Sequence, residues 1–277
     1  MKTVLFRPRR RAGQVLLPVA GWAAGLLWIA PLLLMGWAAF HPDGDALRLS
    51  FDTRWGLGNF PAAWRVAPFA RYLVNTFCIV TLLLVLQLAV CTLAGYALAR
   101  LSFAGRGLVF AVVMLQLMVM PEVLITENYV TVARLGQVDR YLGVALPYIG
   151  SAFGIFLLRQ TFLMVPQELE DAARIEGLGR LAILLKVYVP LARPTYLAYA
   201  LVSVSYHWNN FLWPLVITNT EASRPVTVGM ALFAAPETGV DWGVLSAGTL
   251  LSIGPLLIAF LLFQRQFMQS FMNAGVK

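Results

Sequence analysis

Long apolar runs, separated by short polar stretches, set the plan of the chain. A bilayer core about 30 Å thick needs about 20 consecutive apolar residues if it is crossed by a helix. Segments at about 15–40, 72–99, 108–125, 142–163, 191–218 and 244–267 meet that length and predict six transmembrane helices. The first polar gap, His41 to Phe69, carries three Asp residues and several aromatics, and predicts an external loop with a short interfacial helix. Trp55, Phe60 and Trp64 suit the headgroup level, where amphipathic rings concentrate. Arg100 to Gly107 is a short basic turn, and Glu127 to Tyr141 and Asn219 to Trp242 are predicted external loops. Residues 164–190 differ from all of these: they form a charged, Ala- and Gly-bearing island between greasy segments.

Composition agrees with this plan. Sixty per cent of the 277 residues are apolar and 12% are charged, against about 25% charged in soluble domains. The expectation is one compact all-α membrane domain over residues 1–277, with membrane lipid around it. Lys2, Arg7, Arg9, Arg10 and Arg11 precede the first run. That run is much longer than the apolar core of a secretory signal, about 7 to 15 residues, so it reads as a helix with its N-terminus inside.

The net charge of +8 could point to nucleic acid, but its distribution points to topology. With six crossings and both ends cytoplasmic, the inner face holds 14 of the 21 basic residues and 4 of the 13 acidic ones. That is the positive-inside pattern, and it removes the motive for a nucleic-acid partner.

Site chemistry is sparse. Cys78 and Cys91 lie in one predicted helix and cannot pair there, so they read as packing residues. His41 and His207 are too isolated to suggest a metal. No paired carboxylates, HExxH or Ser/His/Asp grouping lies in the helices, so no catalytic residue is assigned. The glycine pairs Gly21/Gly25 and Gly150/Gly154 have the spacing that lets neighbouring helices approach closely.

The island reads PQELEDAARIEGLGRLAILLKVYVPLARP from Pro166 to Pro194. Pro166 suits a first helical turn, and Glu168, Glu170 and Asp171 put negative charge at the positive end of the helix dipole. Glu170 can pair with Arg174 four residues on, and Gly177 can end the helix in a left-handed conformation. Leu169, Ala172, Ala173 and Glu176 are expected on one face, small and acidic-edged. So short a helix needs tertiary contact to persist. Composition alone leaves open an ordinary solvated loop.

The run from Pro166 to Gly179, followed by VPLARP at Val189 to Pro194, resembles the EAA motif of ABC importer permeases, in particular the carbohydrate-uptake family that includes the maltose and glycerol-phosphate permeases. Asp171, Ala172, Ala173 and Gly177 fall on the motif's central positions; Asp171 stands where Glu is usual, Glu176 where Asp is usual, and Leu178 where Ala is customary. FARYLVNTF at Phe69 to Phe77, HWNNFLWPLVI at His207 to Ile217, RPVTVGMALF, DWG at Asp241 to Gly243 and the final QRQFMQSFMNAGVK match the same family in order and spacing. The chain looks more like the smaller of that family's two permeases.

The resemblance implies a coupling helix, with Glu170, Asp171, Ala172, Ala173, Glu176, Gly177 and Leu178 at a cytoplasmic ATPase. It implies a second, non-identical permease, two ATPase subunits, an extracytoplasmic binding protein and a bacterial inner-membrane location. ATP and Mg would belong to the ATPase, and no cofactor to this chain. The chain contains no GxxxxGK[ST] phosphate loop, which fits that division.

Polar side chains within a bundle tend to face cavities or one another. The densest set is Ser203, Ser205, Tyr206, His207, Trp208, Asn209 and Asn210, and aromatic rings with amides are the chemistry that sugars use. Ser203, Tyr206, His207, Trp208, Asn209 and Asn210 are therefore substrate-path candidates; helix contacts are the alternative reading. Asn75, Gln87, Gln116, Glu122 and Asn128 are weaker ones. An anionic or polyol substrate such as glycerol phosphate fits the same architecture, and a proton-coupled carrier using Glu122 is a rival from another class.

Overall fold

The computed structural model describes residues 13–41, 55–233 and 240–275. The basic arm at Lys2 to Arg11, the three Asp residues of the first loop and residues 234–239 of the last external loop lie outside the described residues. All regular structure among the described residues is helical: α1 Gly13–Phe40, α2 Asn59–Val66, α3 Phe69–Arg100, α4 Arg106–Leu115, α5 Ile125–Arg134, α6 Tyr141–Ala145, α7 Ala152–Met164, α8 Gln167–Ile175, α9 Arg180–Ile183, α10 Val189–Leu191, α11 Arg193–Trp208, α12 Leu212–Ile217, α13 Val226–Phe233 and α14 Trp242–Gly275.

Three helices are long and apolar enough to cross a bilayer unaided, at Pro18–Phe40, Phe69–Arg100 and Trp242–Leu262. Three more spans exist only as bent pairs, so six crossings result if each pair counts as one. The bends are the main departure from continuous predicted helices, and most of them follow from proline.

Arg106–Met118 and Pro121–Arg134 meet at 94°. Met120, just before Pro121, is extended at φ −69°, ψ 131°, because the proline ring disfavours helical backbone in the preceding residue. In consequence the expected loop Glu127 to Tyr141 is corrected in its first half to helix: residues 127–134 belong to α5. Tyr141–Tyr148 and Ala152–Met164 meet at 57°. There Ser151 caps the new helix by accepting from the Gly154 N–H at 3.2 Å. Gln116 bridges the same gap, donating to Gly150 O at 3.0 Å and accepting from Ala152 N at 2.9 Å.

Arg180–Leu191 and Arg193–Trp208 meet at 77°. Pro190 and Pro194 each lack a backbone donor, and Leu184–Tyr188 widens into a π-helical turn before them. The predicted fifth helix at 191–218 is corrected twice: its span begins earlier, at Arg180, and its helix stops at Trp208 before restarting at Leu212. Pro214 explains the second break, since its ring would collide with the carbonyl of residue 210 in a continuous helix.

The chain divides into two compact units, residues 1–63 with 236–250 and residues 64–235 with 251–277. In the first, the carbonyls at the end of α1 are taken up by Asn59, whose amide donates to Ala39 O at 3.1 Å and His41 O at 2.7 Å. Trp37 stacks on His41 with ring centroids 3.9 Å apart.

In the second unit α3 packs against α6, α7, α11 and α13. Glycines permit close packing here: a Cβ on Gly229 of α13 would overlap the Tyr72 ring of α3, and Gly95 and Gly154 serve the contact of α3 with α7 and α11. A Cβ on Gly95 would stand 3.1 Å from Leu158 Cβ, and one on Gly154 would stand 2.8 Å from both Cys91 Sγ and the Tyr199 ring. The predicted pair Gly150/Gly154 is therefore half right, for Gly150 lies in the bend with nothing within 4 Å of a Cβ; Gly21 and Gly25, inside α1, likewise meet nothing within 4 Å among the described residues. Cys91 is fully buried in this contact, and Cys78 is half-buried.

Asp139, at the α5–α6 turn, ties that turn to the loop after α12. Its carboxylate accepts from Asn219 N at 2.7 Å, Thr220 N at 3.0 Å and the hydroxyls of Thr220 and Ser223. Desolvation is the largest single influence and opposes ionisation, but the four hydrogen bonds together outweigh it and hold the carboxyl at about 2, below its ordinary 3.8.

Candidate functional site

Two places in the second unit gather the residues singled out by sequence. The first is α8. Pro166 stands at its N-cap with φ −57°, ψ 139°. At the other end Gly177 takes φ +80°, Gly177 N donates to Arg174 O at 2.9 Å and Leu178 N donates to Ala173 O at 3.0 Å. This is a Schellman stop, and Leu178 folds back onto the buried cluster that contains Ala173. Nothing lies within 4 Å of a Cβ on Gly177, so the glycine is required by backbone conformation alone.

The expected shared face of Leu169, Ala172, Ala173 and Glu176 is corrected by the burial pattern. Glu170 (2% exposed) and Ala173 (6% exposed) turn into the protein. Glu168, Leu169, Asp171, Ala172, Ile175, Glu176 and Gly177 face outward, and Leu178 is half-buried. Ile175, 88% exposed, is a large apolar side chain among charged neighbours on α8; Leu169, Met164 and Leu181 are exposed as well. Packing decides this: Ala173 is the small residue that fits against Val165, Ile183, Leu184 and Tyr188 in one core cluster. Glu170 accepts from Tyr188 Oη and pairs with Arg174.

The second place is a cavity of about 460 Å³. Its polar lining comes from Gln87 on α3, Gln116 and Asn128 on either side of the 94° bend, Tyr148 and Ser151 in the 57° bend, and Tyr199, Ser203, Tyr206 and His207 on α11. None of its lining residues is Asp, Glu, Lys or Arg. Gln87 organises the wall: it accepts from Tyr199 Oη at 3.0 Å and Ser203 Oγ at 2.5 Å, donates to Tyr148 O at 2.7 Å and lies 3.2 Å from His207 Nε2. The His207 ring lies 5.0 Å from Tyr148 and 4.9 Å, edge-on, from Tyr206.

The six substrate-path candidates separate. Ser203, Tyr206 and His207 line the cavity. Trp208 does not: it is buried and donates from Nε1 to Ser252 O at 3.2 Å. Asn209 also lies elsewhere, its amide donating to Ser205 O at 2.8 Å in the α11–α12 break. Asn210 lines a narrow cleft with Thr76, Pro214 and Pro225, which also touches Tyr148 and His207. Among the weaker candidates, Gln87, Gln116 and Asn128 reach the cavity, whereas Asn75 holds Glu221 O and Arg224 O and accepts from Tyr141. Glu122 is exposed and absent from the lining.

Sequence reasoning missed Tyr148, Ser151 and Tyr199. Tyr199 carried a usable signal, since Tyr199, Ser203 and His207 repeat every four residues along one helix face. Tyr148 and Ser151 carried none, because they reach the site through a bend that local pattern does not specify.

The family of binding-protein-dependent transport system inner membrane components matches residues 6–273. The arabinooligosaccharides transport system permease protein AraQ of Halalkalibacterium halodurans is 34% identical over 94% of this chain and 98% of that protein. The sn-glycerol-3-phosphate transport system permease protein UgpE of Pectobacterium atrosepticum is 32% identical over 79% of this chain and 76% of that protein. A crystal structure of a bacterial ABC transporter involved in import of the acidic polysaccharide alginate has a chain with the same fold, at TM-score 0.84 and 20% identity, covering 96% of this chain and 100% of that one. With the bent apolar spans and the helix ending at Gly177, the match over nearly the whole length establishes that this chain belongs to the inner-membrane permease components of binding-protein-dependent transport systems.

Proposed function

We propose that this chain forms half of the translocation path of an ABC importer for a neutral sugar or oligosaccharide. The observation that carries the reading is the cavity, whose wall offers amides, hydroxyls and aromatic rings and no charged side chain. Such groups hydrogen-bond and stack on sugars, and a fixed cation would be expected where a phosphate must be desolvated. The name of the AraQ relative supports an oligosaccharide. Similarity to UgpE favours glycerol phosphate as a second reading; the uncharged wall weighs against it.

In this reading six spans place both termini and α8 on the cytoplasmic side of a bacterial inner membrane. The outward residues of α8, Asp171, Ala172, Ile175 and Glu176, would seat in a cleft of an ATPase subunit, which alone binds ATP and Mg. The chain itself catalyses nothing. A second permease, two ATPase subunits and an extracytoplasmic binding protein complete the machine. One fold relative comes from a bacterial alginate ABC transporter in complex with an alginate pentasaccharide-bound periplasmic protein, at TM-score 0.64 and 13% identity.

The test is uptake by the reconstituted complex with its cognate binding protein, offering labelled arabino-oligosaccharides, other neutral sugars and glycerol phosphate. ATP-dependent uptake of a neutral sugar is expected. Uptake of glycerol phosphate alone, or uptake driven by a proton gradient without an ATPase, would overturn the reading.

A further inference from the structure

Glu170 is the one member of the acidic run 168–171 that is buried, and a carboxylate removed from water is costly unless it is paired and hydrogen-bonded. Its partners come from two elements. Oε2 accepts from Tyr188 Oη at the end of the π-helical turn, and Oε1 accepts from Arg174 one helical turn along α8. Tyr188 is itself fully buried, with its ring packed edge-on against Tyr96 of α3 at 5.2 Å and Phe162 of α7 at 5.5 Å.

Arg100, the last residue of α3, closes the arrangement. Its guanidinium lies 5.2 Å over the Tyr188 ring and donates to Phe162 O at 2.7 Å and to Val165 O, the terminal carbonyls of α7. It also donates to Gln167 Oε1 at 2.9 Å, at the first residue of α8. One cation thus holds the ends of α3 and α7 and the start of α8, while one carboxylate holds the middle of α8 to the segment leading into α11. A nine-residue helix has no stability of its own; here it is fixed to three segments through its start and its middle.

We propose that Glu170 is a positioning residue which, with Tyr188 and Arg100, makes α8 move as one body with the ends of α3, α7 and the α9–α11 segment, so that a push on the exposed face of α8 reaches the cavity wall on α11. Glu170 is therefore an internal strut and makes no contact with the ATPase. The inference rests on the proposed seating of α8 in an ATPase subunit. Breaking the strut leaves the exposed face in place and lets α8 shift relative to the spans. Its signature is loss of uptake per ATP hydrolysed, which a simple loss of folded complex does not produce.

The experiment uses the complete transporter with its binding protein in proteoliposomes, measuring uptake and ATP hydrolysis together in the parent, Glu170→Gln, Tyr188→Phe and the double variant. Ala172→Cys in each background reports contact with the ATPase by crosslinking. Uptake per ATP is expected to fall about tenfold in Glu170→Gln, as losing a hydrogen bond to a charged group implies. Tyr188→Phe should fall in the same direction, and the double variant no further than the worse single one. Crosslinking should persist in all. An unchanged ratio in Glu170→Gln with crosslinking intact would overturn the strut; so would additive losses in the double variant, or crosslinking lost only when Glu170 is changed. Absence of crosslinking in the parent would instead overturn the seating of α8.

Discussion

Around α8 charge is abundant and mostly faces outward: Glu168, Asp171, Arg174 and Glu176 are exposed, and the single buried carboxylate has two partners. Around the cavity no lining residue is charged, and Tyr199 and Ser203 both donate to Gln87. The two regions lie on the same continuous stretch of chain, yet they use polarity differently. An exposed charged face costs little desolvation and carries a distinct charge pattern, with Ile175 as an apolar residue within it. A neutral wall of mutually bonded groups avoids the several kcal/mol that an unpaired buried ion would cost, and it offers a hydroxylated ligand many weak contacts. One region is suited to being gripped, the other to letting go.

The largest effect is expected in the core that α8 packs against. Ala173→Trp forces a large ring against Tyr188 and Ile183, and overpacking of this kind costs about 1–3 kcal/mol or more. Uptake should be lost while the chain still inserts, as shown by membrane fractionation; full uptake would mean that α8 is not held against this core. Gly177→Asp should be milder, because the site is open and only the left-handed backbone is penalised, by about 1–2 kcal/mol. Gly177→Asn should then transport better than Gly177→Val, and equal activity of the two would remove the backbone explanation.

Gln87→Leu tests the neutral wall. It strands the Tyr199 and Ser203 hydroxyls, at about 1–3 kcal/mol for buried groups left without a partner. Uptake is expected to fall about 10- to 100-fold, with ATP hydrolysis less affected, whereas a variant on the outward face of α8 should lower both together.

Asp139 supplies a pH test remote from both regions. Its folded value of about 2 lies below the ordinary 3.8, so its contribution is present above the ordinary value and is lost as pH falls through the folded one. Thermal unfolding in detergent should show that Asp139→Asn is less stable near neutrality and loses part of the parent's sensitivity to acid. The smallest effect is expected at Asn209, exposed in the α11–α12 break. Asn209→Ala should stay within about 0.5 kcal/mol in stability and leave the uptake KM unchanged; a large KM shift would extend the cavity wall to this break.

Much of the fold was legible because the signals are local. Apolar length marks membrane segments, and proline and glycine mark where helices begin, bend or stop, so α8 and its Gly177 stop could be read from a dozen residues. The bends themselves were underread: Pro121, Pro190 and Pro214 were visible, but a proline inside an apolar run does not state whether the helix kinks or breaks. Site residues fared according to range. Ser203 and His207 share a helix face, while Tyr148 and Ser151 join them only through a bend some fifty residues earlier in the chain.

The sequence by itself determined that this protein is helical and membrane-embedded, where charge gathers, and that a short capped helix interrupts the apolar spans. Those features depend on hydration of side chains and on backbone preferences over a few residues. Only the tertiary structure decided that Glu170 and Ala173 turn inward while their neighbours stay exposed, that Gly95 packs against Leu158 and Gly154 against Cys91 and Tyr199, and that Gln87 collects polar groups from Tyr148 and from α11. A helical repeat names the residues that share a face, but which face is buried depends on what packs against it, and here those partners come from distant parts of the chain.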